Sequence, residues 1–391
     1  MAYKSISKDI IRSLNNFVKR KHTPLHIPFF TDDDARNVAK CVRSSYVSSV
    51  SKQTNLFEEK IKKFTKSNYA IATINGTAAI QIAIKACGIK KNDEILIPNL
   101  NYIGSSNASI YCNAIPHFVD VENEAFGVDV KKLDKYLNET TIKKNKLLIN
   151  RKTKRPIKAI MPTHVFGNTS NILEVVKLGK KYNLKIIEDA SEGLGSFYKN
   201  QHLGTFSDIG ILSFNGNKII TTGGGGALLI KEKKIYNKAL SLSTIARKKT
   251  FNWDYDYEEL GYNYRLPGLN SSLGISQFKK ISKILKLKKK IYLSYKKKFK
   301  NHKKFKFIET SKDLKSNHWL NTIYLYNSNI KLRNKVIKEV NKKFIGVRPV
   351  WKLMHQIKHL SKYPRMDISN SIKIEKGLIN LPSSPYLYEK L

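Results

Sequence analysis

One lysine, Lys218, stands between a hydroxyl and a glycine run in SFNGNKIITTGGGG, Ser213 to Gly226. Twenty-nine residues earlier, the apolar segment LKIIED ends on an acid, Asp189. A lysine amine condenses with an aldehyde to give an imine. An aspartate closing a buried strand can keep a pyridine nitrogen protonated, so that the ring draws electrons. Small residues let backbone approach a phosphate. Together these are the parts of a pyridoxal 5'-phosphate (PLP) site. Lys218 is one of many lysines, and the company of Ser213 and Asp189 singles it out. Its amine can also carry a proton between neighbouring carbons.

Other residues at the ends of apolar runs fit the same chemistry, each beside a plainer reading. Asn75-Gly76-Thr77 joins a run to a helix, whose free first-turn N–H groups and Thr77 hydroxyl can hold a phosphate. The plainer reading is a tight turn. Ser213 can donate to the same phosphate or bond its own backbone. Asp189 is alternatively a helix N-cap, and Glu192 its capping-box partner rather than a neighbour of the ring's phenolic oxygen. Tyr102, in PNLNYIGSS, can stack on the ring face or be an ordinary turn aromatic. The spacing of the three cysteines, Cys41, Cys87 and Cys112, matches no metal site, and they read as reduced thiols of a cytoplasmic protein. No metal is expected.

The elements that must position these residues form a regular series. YAIATI, EILIP, IPHFVDV, IKAIMPTH, LKIIEDA, IGILSF and GALLI are short apolar runs, and TAAIQIAIKA and ILEVVKLGKKY are helical patterns between them. Buried strands separated by helices predict an α/β fold with a mostly parallel sheet. In such sheets ligands gather at the C-terminal strand ends, where the candidate residues fall. Near Gly268 the character changes to a long basic helical stretch, then to NTIYLYN and KLRNKVIKEVNKKF. The expected organisation is an arm over 1–30, packed on the large domain or on a partner subunit. A large α/β domain over 31–267 and a smaller α+β domain over 268–391 follow.

The chain has 391 residues, 41% of them hydrophobic, which makes it globular rather than disordered. No apolar run is long enough to span a bilayer, and the charged N-terminus lacks a signal-peptide core. With 72 Lys and Arg against 30 Asp and Glu, the net charge is +42. Nucleic-acid binding is one reading of that excess. Lysine is spread through nearly every segment, however, so compositional drift is preferred and no specific nucleic-acid partner is expected. The densest part, Lys279 to Lys306, has no acid. Its Ile281, Ile284, Leu285 and Leu287 fit one helix face, with most lysines on a solvated face.

In this order NGTAAI, DEILIPNLNYIGSSNAS, CNAIPHFVDV, EDASEGLGS, SFNGNK with GGGGA, and GYNYRLPGLNSSLGISQ resemble the DegT/DnrJ/StrS-type nucleotide-sugar aminotransferases. These are PLP enzymes of the aspartate-aminotransferase (type I) fold, and the resemblance runs from about Leu25 to Leu381. It implies that Lys218 is the imine-forming lysine, that Asp189 pairs with the pyridine nitrogen and that Glu192 lies near the phenolic oxygen, where many members have Gln. It implies that Gly76, Thr77 and Ser213 hold the phosphate and that Tyr102 stacks on the ring. Asn263 would reach the phosphate of a neighbouring subunit, making a homodimer with shared sites, and Arg265 would lie near that interface. Some members carry His in place of the lysine and act as dehydratases; Lys218 argues for amino transfer. RPVWKLMHQ and YPRMDISNSIKIEKGLINLPSS look like the 4-aminotransferases of legionaminic-acid and bacillosamine pathways. Those take a nucleotide-linked 2-acetamido-4-keto-6-deoxy hexose, with glutamate as donor. His355 and Arg348 match positions near the substrate entrance, and His164 alternatively only packs beneath the cofactor. The four-glycine run departs from the family's usual Gly-Glu-Gly-Gly.

Overall fold

The computed structural model describes residues 2–15, 22–248 and 255–388. Residues 1 and 16–21 of the expected arm lie outside them. The seven apolar runs form seven strands: β1 Tyr69–Thr73, β2 Glu94–Pro98, β3 Ile115–Val119, β4 Pro156–Ile160, β5 Lys185–Asp189, β6 Ile209–Ser213 and β7 Gly226–Ile230. They pair in the order β3-β2-β4-β5-β6-β7-β1. Only β7 runs against its neighbours. No helix forms between β6 and β7, the chain doubles back to pair them antiparallel, and that return carries Lys218. A hairpin of Thr141–Lys144 and Leu147–Asn150, not foreseen from sequence, pairs with β4.

The strands are apolar on both faces because helices cover both. On β7, Leu228 and Ile230 enter one core layer, while Ala227 and Leu229 enter the other. The first layer holds Ile80, Ile82 and Ala83 of the helix Gly76–Ala86. The second holds Phe57 and Ile61 of Lys52–Thr65, and Val175 and Leu178 of Ile172–Tyr182.

The basic stretch after Gly268 is one helix of 31 residues, Gly268–Lys298. Ile281 and Ile284 pack in the large core, while Ile291, Tyr292 and Tyr295 pack in a second core under an antiparallel sheet. That sheet pairs Phe305–Phe307, Asn321–Leu325, Leu378–Leu381 and Arg348–Pro349, in that order. Most lysines of the helix are on its outer face, as expected, but Lys288 is not. It is fully buried, and its Nζ donates to the carbonyl of Trp319 at 2.6 Å and to that of Ser383.

The N-terminal residues also depart from expectation. Residues 2–15 form a helix whose Ile6, Ile10 and Leu14, four residues apart, enter the second core with Val336 and Val340, not the large sheet. Residues 23–27 then thread between C-terminal segments. Thr23 N–H donates to Phe344 O at 2.8 Å, Ser383 N–H to Leu25 O at 2.7 Å, and Ile27 N–H to Ser384 Oγ at 3.0 Å. No described helix is long and apolar enough to cross a membrane.

β1 is tied to the helix Lys52–Thr65 by Glu58, whose carboxylate accepts Ala72 N–H at 2.7 Å and lies 3.2 Å from Arg265 Nη2. Burial pushes Glu58 up to about 7, outweighing the pull of Arg265. The folded chain thus holds a proton on Glu58 that the unfolded chain has already lost. Stability from this group therefore falls as pH rises from about 4.5 to about 7. Glu58→Gln should remove that part of the slope. Urea midpoints of the two proteins across this window check it, and parallel pH profiles would refute it.

Candidate active site

The site is built at the C-terminal ends of β1, β2, β5 and β6. Asp189 closes β5 and is buried. Its Oδ2 accepts Ser105 Oγ–H at 2.7 Å, and its Oδ1 accepts Ser191 N–H at 3.2 Å. Ser105 lies in the first turn of the helix Gly104–Tyr111, which follows β2. Thr163 bridges to Asp189 in parallel register, and its buried hydroxyl has no partner among the described residues. A buried hydroxyl ordinarily finds a partner, and this one, beside the end of β5, is open to a bound group.

The helix Gly76–Ala86 begins just after β1. Asn75 caps it, its side chain accepting Ala78 N–H at 2.8 Å. A Cβ on Gly76 would lie 3.4 Å from Ser213 Cβ, so the helix end and the end of β6 meet at van der Waals contact. A Cβ on Gly104 would lie 3.1 Å from Thr77 Oγ1 and 3.3 Å from Tyr102 Cδ1. Gly76, Thr77, Ser213 and Tyr102 therefore converge around one helix N-terminus, where free N–H groups favour an anion.

The glycine run closes the other side. A Cβ on Gly226 would fall 2.6 Å from the carbonyl carbon of Asn75 and 2.7 Å from Gly76 N, a backbone contact no side chain can enter. Gly223 has φ +84, and a Cβ on Gly225 would strike Thr222 Oγ1 at 2.1 Å. Gly224 differs, since its Cβ would meet nothing nearer than Ile74 O at 3.7 Å. The departure from Gly-Glu-Gly-Gly thus falls at the one position of the run with ordinary room and ordinary φ.

Lys218 Nζ sits 3.1 Å from Glu192 Oε1, with both side chains largely buried. Glu192 Oε2 accepts Phe166 N–H at 2.8 Å. Burial pushes the Glu192 carboxyl up, while the Lys218 charge pulls it down. Glu192 is thus neither a cap nor a surface acid.

The remaining expected residues stand farther out. Tyr102 is 57% exposed, with its ring 6.5 Å from that of Trp351. Asn263 is exposed and bridges by backbone to Thr244. Arg265 bridges to Thr73, and its guanidinium is engaged by Glu58 within the chain. Arg348 is exposed on the edge of the second sheet. His355 is anchored to Asn99 at the end of β2, with its Nδ1 3.1 Å from Asn99 Oδ1. Asn99 Nδ2 donates to Ser371 Oγ at 2.8 Å, so its oxygen faces the imidazole. That assigns the proton to Nδ1 and leaves Nε2 an acceptor. Burial and then Arg365 push the His355 pKa down, which favours the same neutral form. His164 Nε2 bonds Glu188 at 2.7 Å, one residue before Asp189.

Sequence reasoning passed over Ser105, Thr163, Asn317 and Trp319. Ser105 had a signal, two residues after a strand-end loop in NYIGSS. Thr163 had one too, just past the end of β4 in IKAIMPTH, whereas Asn317 and Trp319 reach the site only through contacts across long stretches of chain. A groove of about 1030 Å³ between residues 122–131 and 296–314 is lined by none of the candidate residues. Among the described residues no three His, Cys, Asp or Glu side chains gather as metal ligands.

A helix N-terminus with glycine-lined access, a buried aspartate beside an orphaned hydroxyl, and an amine held by a carboxylate all fit PLP. Comparison with known proteins agrees. Residues 29–390 match the model of the DegT/DnrJ/EryC1/StrS aminotransferase family. A GDP-perosamine synthase of Escherichia coli O157:H7 is 31% identical over 94% of both chains. A UDP-4-amino-4,6-dideoxy-N-acetyl-beta-L-altrosamine transaminase of Campylobacter jejuni is 34% identical over 59% of this chain and 57% of its own. Among solved structures, Helicobacter pylori PseC, an aminotransferase involved in the biosynthesis of pseudoaminic acid, superposes with TM-score 0.83. It is 22% identical, over 92% of this chain and 93% of its own.

The glycine geometry gives a paired expectation. Gly226→Ala should cost about 1–3 kcal/mol, the usual range for overpacking, and weaken PLP retention. Gly224→Ala should leave both within about 0.5 kcal/mol of the parent, as substitutions away from special features do. Denaturant midpoints and PLP titration measure the two. Equal losses would contradict the reading of the run.

Proposed function

The chain belongs to the DegT/DnrJ/EryC1/StrS family of PLP-dependent aminotransferases, and from that premise we propose that it aminates C4 of a nucleotide-linked 4-keto-6-deoxy (2-acetamido) hexose, with glutamate as donor. The observation that carries this reading is the buried amine–carboxylate pair of Lys218 and Glu192 beside Asp189.

Bound here, PLP stores an amino group and draws electrons from a carbon that gains or loses a proton. Asp189 accepts the pyridinium N–H, with Ser105 fixing which way its carboxylate faces. Gly76, Thr77 and Ser213 hold the phosphate. Lys218 Nζ would take the proton from one carbon and return it to the next; glutamate would pass its amino group to the cofactor, and water would release it as 2-oxoglutarate. Glu192 bonds the phenolic oxygen, and Tyr102 covers the ring face. His355 and Arg348 meet the sugar nucleotide. A neutral His355 accepting at Nε2 suits a substrate hydroxyl or amide N–H, and Arg348 suits a phosphate. Asn263 reaches the phosphate held by a partner subunit, with Arg265 close to that boundary, so the working unit is a homodimer of shared sites. The division at 30 and 267 belongs to the same proposal.

A perosamine-type substrate, without the acetamido group, is the second reading. It is favoured by the near full-length similarity to a GDP-perosamine synthase. Incubation with glutamate and a panel of UDP-, GDP- and dTDP-linked 4-keto sugars, read by mass spectrometry and NMR, separates the two. No amino sugar from any of them would sink both.

Lys218→Ala should lower turnover by about 10²–10⁴-fold or more, the contribution of a positioned acid–base group, without unfolding the chain. Asp189→Asn should lower kcat far more than it alters KM, because its charge acts on ring electronics. Steady-state kinetics decides, and parent-like rates in either variant reject that residue's role.

Mixing inactive Lys218→Ala with inactive Asn263→Ala tests the shared sites. Each heterodimer would rebuild one site of two. Random mixing should therefore restore about a quarter of the parent activity, half the dimers being mixed. Verified heterodimers without activity would rule out the trans role of Asn263.

A further inference from the structure

Lys218 has a second neighbour that the family reading does not use. Its Nζ lies 3.9 Å from the ring centroid of Trp319, over the indole face. A cation there is attracted by the electron-rich face, and more strongly where water is excluded. Trp319 is 4% exposed, so the contact is desolvated.

Three bonds fix the indole in that place. Its Nε1–H donates to Asn217 O at 2.7 Å, one residue before Lys218. Its backbone N–H donates to Asn317 Oδ1 at 2.8 Å, and its carbonyl accepts Lys288 Nζ–H at 2.6 Å. Asn317 then turns its Nδ2 to Glu192 O at 2.7 Å and Leu194 O at 2.8 Å. One asparagine thus sets the distance between the carboxylate on one side of the amine and the aromatic face on the other.

We propose that Trp319 is a positioning residue for Lys218: its indole face and the Glu192 carboxylate form a two-sided seat that holds the amine in one place whenever it is not bound in an imine. The catalytic meaning rests on Lys218 being the imine-forming lysine, but the seat itself does not. The seat keeps the flexible side chain from swinging to solvent. Besides Glu192, the groups whose charges bear on this seat include His26 of the N-terminal segment, which interacts with Lys218, and Asp189 at the end of β5, which interacts with Glu192. Lys288 lies behind the Trp319 backbone.

The test titrates Lys218 directly. Full-length chain freed of cofactor is labelled with a trace amine-reactive anhydride across the lysine titration range. The fraction modified at Lys218 is read by peptide mass spectrometry. Trp319→Leu should lower the midpoint by about 0.5–1.5 pH units, the equivalent of a desolvated cation–π contact. Trp319→Phe, which keeps an aromatic face, should recover most of that shift. Fluorinated tryptophans placed at 319 keep the shape while draining the face, and should lower the midpoint stepwise even if the leucine variant fails to fold. A midpoint unmoved along the fluorinated series, or moved equally by Phe and Leu, would overturn the proposal. Parent-like turnover in Lys218→Ala would instead reject the role of Lys218 while leaving this titration to stand or fall alone.

Discussion

A buried carboxylate with no room to be wrong holds the end of β5. Glu188 is fully buried, and an unpaired charge there would cost several kcal/mol. It is met by His164 Nε2 at 2.7 Å, the Phe206 N–H at 3.0 Å, the Ser207 hydroxyl at 3.1 Å and the Gly204 N–H. Burial pushes its pKa up, but the His164 bond and charge and the two backbone donors outweigh that and hold it low. Side chains alternate along a strand. Pinning Glu188 toward the Gly204–Ser207 loop therefore turns Asp189 the other way, toward Ser105 and the helix Gly104–Tyr111. Asp189 is aimed by the residue before it.

The same logic sets the limits of the sequence reading. The placing of Asp189, Ser213 and Gly76 at strand ends was legible because such ends are written locally, as apolar runs that stop at a polar or small residue. The strands β1 to β7 were legible for that reason, while the hairpin paired to β4 was not. What was not legible joins distant segments. Ser105 meets Asp189 across 84 residues, and Trp319 meets Asn217 across 102. No periodicity encodes either contact. The first residues read only as an arm, and the packing of their helix on the second core was not legible. Lys288 read as one more solvated lysine, since only the third dimension shows two carbonyls waiting for it. The glycine run read as a departure from pattern, and its geometry shows which glycine was free to vary.

Long-range bonds also make the two cores interdependent. The helix Gly268–Lys298 contributes to both, and Lys288 on it bonds the backbone that carries the Trp319 indole. Losing that lysine would leave two buried carbonyls without a donor, at roughly 1–3 kcal/mol for each group left unsatisfied. The floor beneath Lys218 is thus held from the second sheet, while the carboxylate above it is held from the first.

The threading of residues 23–27 between the C-terminal segments has a consequence for how the chain is made. Ile27 must bond Ser384 across 357 residues. At ribosomal speeds of about 5–20 residues per second, that partner emerges on the order of tens of seconds later. By then β1 through β7, which end at Ile230, have long left the exit tunnel. The nascent chain can thus assemble its central sheet while its own beginning still waits, apolar side chains uncovered, for the end to arrive. That interval is when a holdase would be needed, and during it Lys218 exists without the surface it comes to rest on.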